Sequence, residues 1–573
     1  MMTNRQIADL FETIADMLQL KGEIIHRVLA YRRAAESIRE LPRDLSAIAA
    51  ERKLTEIDGI GKIIAEKINE VLTTGELQFY KELAEEIPPG LVDVLRVNGV
   101  GPKKAMLFYK EVGVASIAAL EAAAKEGKLR TLAGMGEKSE AKILERIAAL
   151  ARRTTRARLD VAWVSADRLL RTLLALPGAL RGDVAGSVRR GKPTIGDLDL
   201  LIASYDPDPI MEHFVHHPDV VRVLGHGSTK SSVELASGLQ CDLRIVPPER
   251  YGTALSYFTG SKEHNTRLRE MARDRGLTLN EWAFAALEGG AETLCAEESE
   301  VYAQFGLPFI PPELREDRGE IDLAARGALP TLITIADIRA DLHMHTTWSD
   351  GKLSIRDMAW IARERGLQYI VITDHSQSLG VANGLTPERL RAQREEIHAV
   401  DAEFAPTLRV FQGVEMEIRA DGSLDYPDEV LAKLDFVIAS LHTGLRQPRE
   451  QITARLLNAI RNPHVDLIGH PRGQMIPERE PADLDMDAVF RAALETDTAL
   501  EINASPYRLD LDDTHARLAA EMGIKIAIDT DSHSGDGFEA LRYGVITARR
   551  ARLRAADVIN TWSVNTFLEW LNG

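Results

Sequence analysis

The segment Asp341-Leu342-His343-Met344-His345 opens a series of nine side chains able to hold a transition metal. After His343 and His345 come Asp350 in Trp-Ser-Asp-Gly, His375 in Thr-Asp-His, Glu415 in Gly-Val-Glu, His442 in Ser-Leu-His, His470 in Gly-His-Pro, and Asp531 with His533 in Asp-Ser-His. Most stand at the end of a short apolar run: residues 369–372, 436–439, 467–468 and 526–528. Barrels of alternating strands and helices deliver side chains to one face from their strand ends. The pattern therefore constrains residues 338–573 to a parallel α/β barrel. Imidazole and carboxylate together suit zinc, manganese or iron and are poor calcium ligands. Nine donors are too many for one tetrahedral ion, so two or three metals and a hydrolase are expected.

At roughly 150 residues per domain, 573 residues predict about four units. A net charge of −17 excludes a protein that coats DNA through its overall field. Any DNA partner must be argued from local sites. No apolar run approaches the ~20 residues of a membrane span, and the first residues read as an amphipathic helix rather than a leader. Only Cys241 and Cys295 occur, which fits a reducing compartment without disulfides. A cytoplasmic protein is expected.

Residues 1–157 carry helical periodicity and a short element repeated three times: Gly59/Gly61, Gly99/Gly101 and Gly134/Gly136, each pair around one apolar residue and between two helical patterns. Paired glycines allow positive φ and close backbone approach. The amides that follow open a helix whose N-terminus attracts phosphate. This is the helix–hairpin–helix device for gripping a nucleic-acid backbone without reading bases. The first two copies, with Lys62 beside Gly61, are the expected DNA contacts. The boundary between 1–80 and 81–157 separates a first helical domain from a helix–hairpin–helix domain.

Strand-like runs take over across 158–248. Gly186-Ser187-Val188-Arg189-Arg190 precedes Asp197-Leu198-Asp199, and Asp242 alternates with apolar neighbours downstream. Positions i and i+2 of a strand share a face, so Asp197 and Asp199 project together and Asp242 adds a third carboxylate from a neighbouring strand. Their mutual repulsion calls for divalent cations, with two magnesium ions ~4 Å apart as the economical arrangement. Gly186, Ser187 and Arg190 are placed to meet phosphate oxygens. Residues 249–318 return to helical pattern, and 319–337, after Pro308, Pro311 and Pro312, read as a linker.

Gly186-Ser187, Asp197-x-Asp199, Asp242 and Tyr257-Phe258-Thr259-Gly260-Ser261 resemble the nucleotidyltransferase core of family X DNA polymerases. The resemblance runs from about residue 12 to 321. It implies that the aspartates bind two Mg²⁺ or Mn²⁺ and that Gly186, Ser187, Arg190 and Gly260 meet the incoming dNTP. It also implies that Tyr257 and Phe258 line the sugar site, while Asn265 and Arg269 face the minor groove and template. Ala30-Tyr31-Arg32-Arg33 resembles the family's lyase domain: Lys67 stands at the Schiff-base position, and Arg27, Tyr31 and Lys62 are implied 5′-phosphate contacts. Ile63 replaces a second phosphate-binding lysine, which separates 5′-phosphate binding from lyase chemistry.

The Asp-Leu-His-Met-His region resembles the PHP (polymerase and histidinol phosphatase) domain, and the joined arrangement resembles bacterial family X polymerases. The implied fold is multidomain: all-α helix–hairpin–helix domains, an α+β nucleotidyltransferase palm with a helical nucleotide-selection subdomain, and a distorted seven-stranded α/β PHP barrel. The resemblance implies three metal sites, Mn²⁺ or Zn²⁺. His343, His345, Glu415 and Asp531 hold the first, Glu415, His442 and His470 the second, and Asp350, His375 and His533 the third. The implied enzyme is a monomeric gap-filling DNA polymerase with a 3′-5′ exonuclease, and with AP endonuclease or 3′-phosphatase activity as further options. Arg446, Arg472 and Arg508 are candidate phosphate contacts, while His398, His464 and His515 lie outside the ligand motifs. Two rivals stand beside this reading: a DNA-end scaffold with a vestigial polymerase site, and a small-molecule phosphomonoesterase with a nucleic-acid module.

Overall fold

The computed structural model describes residues 2–572 apart from 3, 42–43, 58, 98, 133, 153–155 and 288–289. It divides into two compact units, Met1–Thr155 and Arg156–Gly573.

The first unit is helical because its apolar residues recur at three and four. Ile7, Phe11, Ile14 and Leu18 fall on one face of the helix Asn4–Lys21 and are at most 1% exposed. They pack against Val28, Ala35 and Ile38 of the helix Ile25–Glu40. The glycine element has one geometry three times. Gly59, Gly99 and Gly134 have φ of 75°, 77° and 75°. Each turns the chain into a helix: Lys62–Thr74, Pro102–Val112 and Glu137–Arg152. Side chains rarely adopt that φ, so the recurring glycine is a backbone requirement.

The second unit opens with a five-stranded sheet in the order 181–184, 197–203, 240–246, 230–235, 220–225. Only the 197–203 and 240–246 strands pair in parallel; the other pairs are antiparallel. Leu198, Leu200, Leu243 and Ile245 form its core with the helix Leu159–Leu174. The helices Tyr251–Thr259 and Lys262–Asp274, the hairpin 277–286 and the helix Glu298–Ala303 follow.

Seven parallel strands then pair strictly in chain order, from Ala340–Asp341 to Ile526–Asp529. Six of them are wholly buried, as strands covered on both faces must be. The first and last strands are joined by side chains in place of a full ladder. Asn560 bonds the carbonyls of Ala340 and Ile528, and Asp529 accepts from the Leu342 amide.

The expected linker 319–337 contains ordered structure. Residues Glu320–Ala325 form a helix, and Glu320 is fully buried, accepting from His264 at 2.6 Å. The barrel also contributes Leu509 and Tyr543, with Ile476 and Ile546, to the hydrophobic core of the five-stranded sheet. Burial of shared apolar surface makes residues 156–573 one body.

Candidate active sites and a candidate nucleic-acid interface

In the helical unit, Gly61 and Gly101 cap the helices that begin at Lys62 and Pro102, with open space where a Cβ would stand. Gly99 and Gly101 line a cavity of about 670 Å³ together with Gln19, Gly22, Lys103 and Lys104. Lys62 and Ile63 are exposed at the start of their helix. Lys67 lies 4.0 Å from the Phe79 ring centre, with the Arg27 guanidinium 5.3 Å from the same ring. Burial, with the neighbouring Arg27 charge also acting against protonation, holds its amine below the ordinary lysine value although nearby glutamates oppose this. Tyr31 departs from expectation. It is 3% exposed, stacked on Phe79 and edge-on to Phe11, so its ring belongs to the core.

In the mixed sheet, Asp199 and Asp242 are register partners across the parallel pair, and Asp197 lies two residues along the same face. Leu198 between the two carboxylates is fully buried, the alternation expected of a one-sided strand. Burial, and then the charges of Asp197 and Asp242, raise Asp199 to about 7. Asp242 is lowered although burial opposes its charge, because Lys230 at 2.7 Å and Gln240 at 2.8 Å bond it. Lys230 carries no sequence signal; only strand pairing brings it there. Gly186 has φ 61°, and a Cβ there would lie 2.2 Å from an Asp199 carboxylate oxygen. Only glycine permits that approach. Ser187 follows, half-buried.

Arg189 pairs in two-pronged fashion with Glu298, at 2.8 and 2.6 Å. Arg190 donates to the Thr259 carbonyl at 2.5 Å and to Glu316 at 3.1 Å. Gly260 has φ 72°, with Arg190 3.0 Å from where its Cβ would be. Tyr257 and Phe258 are half-buried and edge to face at 5.2 Å, and Arg244 stacks 4.0 Å over Phe258. Asn265 is turned to the Tyr257 carbonyl at 2.7 Å, and Arg269 is exposed.

At the barrel's strand ends all nine predicted ligands converge. Glu415 is the hub. His442 and His470 lie 3.1 and 2.9 Å from one of its oxygens, and His375, His343 and His345 lie 2.9, 3.4 and 3.6 Å from the other. Asp531 stands 3.1 Å from His345, and Asp350 stands 3.4 Å from His533. Three donor groups emerge: His343/His345/Glu415, His375/Glu415/His442 and His345/Asp350/His375/His533. Relative to the expected grouping, His345 and His375 are each shared between neighbouring groups. Asp350 and His533 form the open side, each 36% exposed, against 0–1% for His343, His345 and Glu415.

The donor set fits metal ions. His343 Nε2, both nitrogens of His345 and His470, and both oxygens of Glu415 are buried without a hydrogen-bond partner, an arrangement too costly to persist unless something binds there. Burial raises the cost of charge on Glu415 and Asp531, yet the surrounding imidazoles hold both well below the usual carboxylate range. Burial and the His375 charge lower His345 to about 3, while His442, opposed by burial, is raised to about 10 by Glu415 and Glu417.

Carboxylates outside the predicted set aim the imidazoles. Glu501 accepts from His343 Nδ1 at 2.7 Å, and Glu417 from His442 Nδ1 at 2.7 Å. Such partners fix ring orientation. Glu417 was legible in the strand, sharing a face with Glu415 two residues before it; Glu501 was not. His470 and Asp531 adopt φ of 26° and 54°, unusual for non-glycine residues and concentrated at functional sites. Of the three candidate arginines, Arg508 reaches 3.6 Å from Asp531 and Arg446 is exposed. The Arg472 guanidinium pairs with Asp512 within this unit. His398 is exposed, and His515 bonds Asp512. The amide of His464 bonds Asn462.

Residues 2–77 match a helix-hairpin-helix domain and 91–149 a SAM-like helix-hairpin-helix tandem. Residues 254–316 match the DNA polymerase beta thumb and 341–505 the PHP domain. A "DNA polymerase/3′-5′ exonuclease PolX" of Bacillus subtilis is 40% identical over 565 residues, covering 98% of each chain. A probable phosphatase of Thermoanaerobacter sp. is 36% identical over 233 residues, 39% of this chain and 89% of its own. With helix–hairpin–helix elements, a polymerase thumb and a PHP barrel in one chain, and a relative aligned end to end, this protein belongs to the bacterial family X DNA polymerases that carry a C-terminal PHP domain.

Proposed function

We propose that the chain fills short gaps in DNA as a DNA-directed polymerase and trims 3′ ends as a metal-dependent 3′-5′ exonuclease, in repair of the base-excision type. The observation that carries this reading is the pair of separate ligand clusters in one body: Asp197, Asp199 and Asp242 on a sheet face, and nine imidazoles and carboxylates at a barrel mouth. Asp197, Asp199 and Asp242 would hold Mg²⁺ or Mn²⁺, and the barrel ligands Mn²⁺ or Zn²⁺. Bound there, divalent ions would activate an attacking oxygen and neutralise phosphoryl charge.

The chain's own groups supply the rest. Gly186 gives backbone access beside Asp199, and Arg190 offers positive charge to a dNTP triphosphate. The Tyr257–Phe258 pair walls the sugar site. The amides after Gly61 and Gly101 hold DNA phosphates. At the barrel, Glu501 and Glu417 aim His343 and His442, and Arg508 faces the scissile phosphate. Primer extension on gapped duplex, and degradation of the same 3′ end by one preparation, tests both activities. Binding without incorporation would favour the scaffold reading. Faster hydrolysis of a free sugar phosphate than of DNA ends would favour the phosphomonoesterase reading, for which the match to a probable phosphatase speaks.

The lowered amine of Lys67 supports a second reading, Schiff-base lyase chemistry at a 5′-deoxyribose phosphate. Borohydride trapping on an incised abasic substrate tests it: an adduct lost in Lys67→Ala is expected, and no adduct in the parent enzyme removes it. Among the described residues, no helix is long and apolar enough to cross a membrane; a cytoplasmic, monomeric enzyme at the nucleoid is the accompanying reading.

A further inference from the structure

Three cations converge on one carboxylate between the polymerase and hydrolase parts of the second unit. Glu316, 7% exposed, takes Arg190 Nε at 3.1 Å, Lys192 Nζ at 3.1 Å and Arg550 Nη1 at 3.0 Å. Arg550 ends the helix Leu541–Arg550 of the barrel and is 2% exposed. Its Nη1 also donates to the Arg190 main-chain carbonyl at 2.7 Å, and its Nη2 donates to Asp513 at 2.8 Å. One turn earlier on that helix, Ile546 lies so near the loop that a Cβ on Gly191 would stand 2.1 Å from its methyl. A side chain of the hydrolase domain is thus seated on the loop 186–192, whose other end touches Asp199.

The charges explain what this seat does. Arg190 has two claims on it, the buried Glu316 carboxylate and a triphosphate. Arg550 and Lys192 share the Glu316 carboxylate with Arg190, so Glu316 does not claim the whole Arg190 charge, and the Arg550 bond to the Arg190 carbonyl fixes the loop's main chain. Without Arg550, Glu316 holds Arg190 more strongly, and the Arg190 carbonyl loses its donor. We infer that Arg550 is a positioning residue of the polymerase, supplied by the hydrolase domain, that holds the Arg190 loop in the form that receives dNTP. This rests on the reading of Arg190 as a triphosphate contact.

Single-nucleotide gap filling by the full-length enzyme at varied dNTP concentration tests it. Arg550→Met is expected to raise the dNTP KM about tenfold, the size of one lost charge-assisted hydrogen bond, with kcat changed far less. Arg550→Lys restores part of the affinity. Asp513→Asn loosens Arg550 without removing it and shifts KM in the same direction; it decides the matter if Arg550→Met does not fold. Exonuclease activity stays at the parent level in each folded variant. Unchanged KM in Asp513→Asn and Arg550→Met, or parallel loss of exonuclease, overturns the inference. Arg190→Gln separates the two failures: if it alone raises KM, only the role of Arg550 falls, and if it too leaves KM unchanged, the assignment of Arg190 falls first.

Discussion

Asp199 and Asp242 stand directly opposite each other on adjacent parallel strands, yet their ionisation is pushed in opposite directions, Asp199 up to about 7 and Asp242 down. Lys230 and Gln240 serve Asp242, whereas Asp199 is more deeply enclosed and faces two like charges. Such a pair is a poor structural element and a good cation seat.

Asp242→Asn and Asp199→Asn are therefore expected to lower nucleotide incorporation by at least about 100-fold while 3′-end digestion continues. Primer extension and end digestion, measured on the same preparations, check the separation.

The complementary variant is His343→Ala. It removes a buried donor beside Glu415, and exonuclease activity should fall by more than about 100-fold with gap filling intact. Glu501→Gln leaves every ligand in place and disturbs only the aim of His343, so a loss of about 10- to 100-fold is expected. Chelation should abolish digestion in the parent, with manganese restoring it; metal content and digestion rate are the readouts.

Gly61 and Gly101 have room for a side chain and ordinary negative φ. Gly61→Val and Gly101→Val should thus leave the helical melting profile unchanged. A bulky side chain at either place keeps phosphate from the helix amides, and affinity for gapped DNA should drop roughly tenfold. Thermal circular dichroism and a binding titration at fixed salt distinguish lost contact from lost fold.

Glu316 is buried, which disfavours its charge, yet Arg550, Lys192 and Arg190 bring it down to about 2. A carboxylate depressed from about 4.5 contributes stability that is fully present above that pH and fades as pH falls toward 2. Glu316→Gln should cost about 3 kcal/mol at pH 7, with the difference from the parent shrinking below pH ~4.5. Denaturant unfolding at pH 7 and pH 3.5 measures it.

The chain alone pointed to the candidate groups for chemistry, because those signals are local. Asp197 and Asp199 share a face by strand alternation, most of the nine candidate metal donors close short apolar runs, and the three glycine pairs sit between helical patterns. Tertiary structure decided how those groups are held and which neighbours compete for them. Glu501 meets His343 across 158 positions and Arg550 meets the Arg190 carbonyl across 360. Tyr31 is claimed by the core, Arg472 by Asp512, and the expected linker by Glu320 and its buried histidine. Spacing along a sequence reports what one strand or helix presents to one side. Charge partners and buried surface come from whatever segment folding brings opposite, and no local period records that.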